Sequence, residues 1–112
     1  MSDITDDFMK QMLAKTKHYS VIILTNGPNW NTPGAEKIIW EHGRRNFALR
    51  AQGLLSIVCP FSNDTRIAGI GIFNASVEET KKIMDEDQAV KEGVLAYEVH
   101  DCRSFPGDCL PK

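Results

Sequence analysis

Apolar residues recur along the chain with two different periods. Ile4, Phe8, Met12 and Leu13 fall at helical spacing, which predicts a short helix over Ile4–Lys15 packed on the rest of the protein. Tyr19–Thr25 is a β-branched apolar run and reads as a strand. It ends in the turn-rich stretch Asn26-Gly27-Pro28-Asn29-Trp30-Asn31. Thr32 and Pro33 suit the N-cap and first position of a helix that runs to Gln52 and stops at Gly53. Leu54–Cys59 is a second strand, closed by Pro60, and Asn63-Asp64 supplies a turn before a third strand, Ile67–Phe73. Ser76 with Glu79 forms a capping box for a helix to Asp85. Glu86–Glu92 is a turn or a short second helix, Val94–His100 a fourth strand, and Asp101–Lys112 a polar tail.

The order after the first helix is β-α-β-β-α-β. It predicts an α+β domain of ferredoxin-like type, an antiparallel sheet with helices on one face. Residues 1–16 form a helical extension and residues 17–112 a single domain, with its tail from about residue 101.

Both sheet faces carry apolar side chains. In the third strand Ala68, Ile70 and Ile72 share one face, expected under the helices, and Ile67, Gly69, Gly71 and Phe73 the other. In the first strand Ile22 and Leu24 oppose Tyr19, Val21 and Ile23. An open apolar face needs a cover. The expectation is a homodimer joined face to face as an α+β barrel; the alternative is cover by the N-terminal helix or the tail.

Within the first long helix Ala35, Ile38, Ile39, His42, Asn46, Leu49 and Gly53 fall in one arc. A histidine thus sits mid-way along the stripe that should face the sheet. It reads as a general acid/base in a pocket, or as a buried histidine satisfied by Asn46 or a backbone carbonyl. Trp40, Phe47 and Ala51 form a separate apolar stripe, suited to another contact such as the N-terminal helix.

The chain has 112 residues, 42% hydrophobic and 25% charged, with net charge -2. That is globular composition with room for one core. The isoelectric point near 5.9 and the lack of a basic stretch speak against a nucleic-acid partner. No apolar run is long enough to cross a membrane, and the acidic N-terminus lacks a signal-peptide core, so a cytoplasmic protein is expected. Of three cysteines, Cys59 ends an apolar run as a small buried hydrophobe. Cys102 and Cys109 can pair only where the compartment is oxidising and are expected as thiols. No CxxC occurs, and no metal or cofactor is expected.

Several stretches resemble the YCII-related family: Val21–Thr25 with Asn26-Gly27-Pro28; His42 ahead of Leu49-Arg50-Ala51-Gln52-Gly53-Leu54-Leu55; Gly69–Phe73 with Ser76–Thr80; and Asp87 before a variable turn, Gly93 and the last strand. The resemblance spans residues 19–100. Gln88 stands where that family usually has proline, and the Asn29–Gly34 loop and Cys102–Cys109 tail are not general features of it. The resemblance implies a ferredoxin-like dimer with a His–Asp site, His42 as acid/base and Asp87 as its carboxylate. Asp87 is also well placed to cap a helical turn at Gln88-Ala89-Val90, and both roles can hold together. Asp64, Glu98 and Asp101 are other carboxylates that could serve His42.

Asn46 in the arc, Arg45 bordering it, and Trp30 in the first loop are candidate substrate-binding residues, Arg45 for an anionic group. Asn26 and Asn31 share Trp30's loop, which could roof the pocket. Arg44 and Arg50 read as a solvated face, and His18 and His100 as solvated strand ends. Gly69 and Gly71 lie inside a strand and make no phosphate loop. The functional expectation is a small lyase- or isomerase-type enzyme acting on a small molecule through His42 and Asp87. The alternative is a non-catalytic dimeric ligand-binding or accessory domain.

Overall fold

The computed structural model describes residues 3–62 and 65–112; the turn expected at Asn63-Asp64, and Asp64 itself, lie outside the described residues. The elements run α1 (Asp6–Leu13), β1 (Lys17–Asn26), α2 (Ala35–Ala51), β2 (Leu55–Pro60), β3 (Ile67–Phe73), α3 (Val77–Asp85), α4 (Gln88–Lys91) and β4 (Leu95–Ser104). The protein is α+β. Its single four-stranded sheet has the order β2-β3-β1-β4, and each neighbouring pair is antiparallel. β1 and β2 therefore run the same way with β3 between them.

Local chemistry sets most element ends. The Ser76–Glu79 capping box opens α3 as expected. Asp87 caps α4 by accepting a bond from the Ala89 amide. The start of α2 differs from expectation. Gly34, at φ 88°, takes the left-handed conformation that interrupts a helix, so α2 begins at Ala35. The Thr32 hydroxyl instead donates back to the carbonyl of Asn29. β4 is longer than expected: Asp101–Ser104 pair with Ser20–Lys17, so the tail starts at Phe105 and not near 101.

The core joins Ile22, Leu24, Leu55, Phe73, Val94 and Leu95 of the sheet side to Ala35, Leu49, Met84 and Ala89 of the helices. Register reverses the expected assignment of β3 faces. Phe73 pairs with Ser20 and Gly71 with Ile22, so Gly69, Gly71 and Phe73 face the helices. Ile70 and Ile72, paired with Ile23 and Val21, lie on the open face, and Ala68 falls at the irregularity beside Leu24. One fully buried phenyl ring outweighs the smaller residues on its face. Gly69 is required there, because a Cβ would stand 2.6 Å from the Cys59 carbonyl oxygen.

The second apolar face is real and open within the chain. Val21, Ile23, Ile57, Ile70 and Ile72 are all half-buried. α1 contributes no buried residue. The radius of gyration is 16.6 Å, against about 13 Å for a compact chain of this length. The long axis measures 56 Å.

Candidate functional site

His42 is placed by α2 and Asp87 by the α3–α4 junction. Phase along α2 turns His42 and Asn46 inward, half-buried between the buried Ala35 and Leu49. Ile39, expected in the same arc, remains 39% exposed. Asp87 is held by its capping bond, 2.9 Å from the Ala89 amide through Oδ1. That leaves Oδ2 for His42 Nδ1, at 2.6 Å. Two positions 45 residues apart thereby form one buried pair. The Asp87 residue is 2% exposed and the His42 side chain 11%.

Electrostatics keep this carboxylate ionised. Burial raises its pKa, but the bond from His42, the charge of His42, the Ala89 amide and the Arg45 guanidinium together hold it below the usual carboxylate value. An ionised Asp87 accepts the Nδ1–H of His42, so the ring's lone pair lies on Nε2. Asn46 Nδ2 donates to that nitrogen at 3.3 Å, one helical turn away. The pair lies on the wall of a cavity of about 220 Å3 between α2 and the sheet, with Leu24, Asn46, Val58, Gly69 and Leu95 among its lining. Nε2 is thus the atom able to take or give a proton there, with Asp87 orienting the ring.

The other expected site residues divide. Arg45 turns toward Asp87: Nη2 donates to the Ile83 carbonyl at 2.7 Å and Nη1 stands 3.6 Å from Asp87 Oδ2. Trp30 is 51% exposed and does not line the cavity. In the same loop, Asn29 Nδ2 donates to the Glu92 carbonyl. Asp101 and Glu98 pair with His18 at 2.9 Å and His100 at 3.3 Å, both exposed, so neither serves His42. A larger cavity, about 510 Å3, opens beside His18 and Asp101, away from the buried pair. Its ion pair is solvated and weak.

Sequence reasoning missed the anchoring role of Arg45; only its position one turn before Leu49, beside the arc, hinted at it. It also missed Tyr97, which donates to Asp85 at 2.7 Å. Burial, that bond and the Asp85 charge push the phenol up to about 12. Cys59, Cys102 and Cys109 are free thiols. Burial and then the Asp101 charge raise the Cys102 pKa, which disfavours its thiolate. Among the described residues no group of three or more His, Cys, Asp or Glu is placed to hold a metal ion, and no helix is long and apolar enough to cross a membrane. No protein-family model and no curated protein matches the chain.

Proposed function

We propose that this chain is a YCII-related acid–base catalyst, a lyase- or isomerase-type enzyme that moves a proton on a small organic molecule. The observation that carries the reading is the buried 2.6 Å bond between His42 Nδ1 and Asp87 on the wall of a cavity. In the working scheme substrate displaces the long Asn46 contact, His42 Nε2 accepts the proton, and Asp87 stabilises the imidazolium formed. The cavity of about 220 Å3 favours a substrate of few heavy atoms, below the roughly 300–1,000 Å3 common for drug-sized ligands.

The strand order β2-β3-β1-β4 supports the ferredoxin-like assignment. The open face of Val21, Ile23, Ile57, Ile70 and Ile72 supports a homodimer in which two sheets pack face to face. A cytoplasmic setting without a nucleic-acid partner fits the acidic composition.

One observation favours the non-catalytic alternative. Each polar atom of the pair already has a protein partner, with Asn46 on Nε2 and the α4 cap on Oδ1. Turnover separates the two readings. Small phenolic and lactone substrates are screened with wild type and His42→Ala, and loss of the base should cost about 10²–10⁴-fold. Equal turnover in both proteins would remove His42 from the mechanism. Light scattering tests the dimer separately: a clean monomer at micromolar concentration would refute it, and Ile72→Asp should dissociate it.

A further inference from the structure

The His42 cavity has a neighbour. A second chamber of about 220 Å3 is lined by Gly43, Asn46, Phe47, Arg50, Val58 and Pro60. Gly43, Asn46, Val58 and Pro60 also line the His42 cavity, so the two spaces adjoin between α2 and β2. Asn46, whose amide donates to His42 Nε2, belongs to both.

Helical phase produces this arrangement. His42, Asn46 and Arg50 follow at four-residue steps, each about 40° round from the last. The row turns from the buried side of α2 toward its β2 flank, where Gly43 also lies. Long helical side chains lean back toward the helix N-terminus. Arg50 does so: its Cζ lies 5.6 Å from the centroid of the Phe47 ring, three residues earlier. A cation over an aromatic ring at this distance is held there by attraction, and the lean brings the guanidinium back toward Asn46.

The charge of Arg50 is unopposed. Arg44 pairs with Glu41, and Arg45 stands beside Asp87, but among the described residues Arg50 makes no ion pair. None of the described residues lining either chamber is an Asp or Glu. Beyond His42, Asn46 and Arg50 the two linings are largely apolar. A mostly apolar site with one placed cation recognises an apolar molecule that carries one anionic group. The planar fork of arginine matches a carboxylate.

We propose that Arg50 and its chamber bind the carboxylate of a small organic acid, an aliphatic or aromatic monocarboxylate, with its apolar body along Val58 and Pro60 and its reacting carbon at His42 Nε2. The anion recognition expected of Arg45 thereby falls to Arg50, because Asp87 and the Ile83 carbonyl engage Arg45. Glycine weakens a helix interior. At position 43 it leaves open space beside both chambers, with nothing within 4 Å of where a Cβ would stand. The role of the bound acid as substrate rests on the acid–base reading of His42; its binding by Arg50 does not.

The test is a titration of the full-length, isotope-labelled protein with phenylacetate, benzoate and hexanoate, each against its neutral amide, followed by NMR. Shifts should centre on Gly43, Asn46 and Arg50, and at least one acid should bind about tenfold more tightly than its amide. Arg50→Gln should abolish that preference. Arg44→Gln, an equal loss of charge on the same helix but at a residue that lines neither chamber, should keep it. Gly43→Leu should weaken acid and amide alike by filling the shared space. Arg50 is exposed, so Arg50→Gln keeps the fold, checked by an unchanged melting curve. Four results overturn the proposal: no saturable shift at these residues with any of the acids up to about 10 mM, acid and amide binding equally, a preference lost as fully in Arg44→Gln as in Arg50→Gln, or indifference to Gly43→Leu. Binding is read without turnover, so a failure here leaves His42 chemistry standing, and a failure of turnover leaves the Arg50 site standing.

Discussion

Replacing Asp87 by alanine removes three interactions at one buried point. The Ala89 amide loses its capping acceptor, which costs about 1 kcal/mol. His42 Nδ1 loses its bond to Asp87 Oδ2, and Arg45 Nη1 loses the carboxylate 3.6 Å away. Breaking a buried charged pair from one side costs about 3–5 kcal/mol. Arg45 retains its bond to Ile83 and partial solvent contact, so the low end applies. The sum is about 4 kcal/mol, and at about 4 °C per kcal/mol for this chain length the melting temperature should fall by about 16 °C. Asp87→Asn keeps an oxygen for the Ala89 amide and loses the charge, so about 2 kcal/mol is expected. Thermal melts followed by circular dichroism, with urea titration for the free energy, read both variants. A drop below about 4 °C for Asp87→Ala would show that the pair does not tie α2 to α4. That result would also remove the rigid orientation on which acid–base use of His42 depends.

The depressed pKa of Asp87 predicts a pH signature. Its stabilisation is complete above its ordinary value near 3.8 and is lost as pH falls through the lower folded value. The gap in urea midpoint between wild type and Asp87→Asn should therefore hold at about pH 5 and narrow below about pH 4. A gap that widens on acidification contradicts the assignment. Gly27→Ala should be severely destabilising, because a Cβ would clash with the Gly93 carbonyl group. A cost under about 1 kcal/mol, within the range of ordinary substitutions, would mean that this loop shifts freely. Ser76→Ala removes half of the capping box on α3 and should cost about 1 kcal/mol, read from the same melts. No change would show that Glu79 alone suffices.

The sequence by itself determined what depends on neighbours a few residues apart. The alternating β-branched runs, the Ser76–Glu79 box and the capping habit of Asp87 are local preferences, and all three appear in the structure. Helical phase was also enough to turn His42 and Asn46 inward. The α+β class followed from element order. Long-range packing decided the rest. Only strand register could show that Phe73 and the two glycines face the helices, because the alternation in β3 is symmetric and the burial of one large ring settles it. Gly34 cut short a helix that Thr32 and Pro33 would have started, because its left-handed φ overrides them. Asp101 has no local signal to mark it as strand; it becomes strand by pairing with Ser20. The His42–Asp87 bond joins residues 45 positions apart. Proximity of that kind comes from folding α4 against α2, and no local preference contains it. The Arg103–Thr16 contact, which ties the end of β4 to the turn after α1, is likewise a product of the tertiary fold.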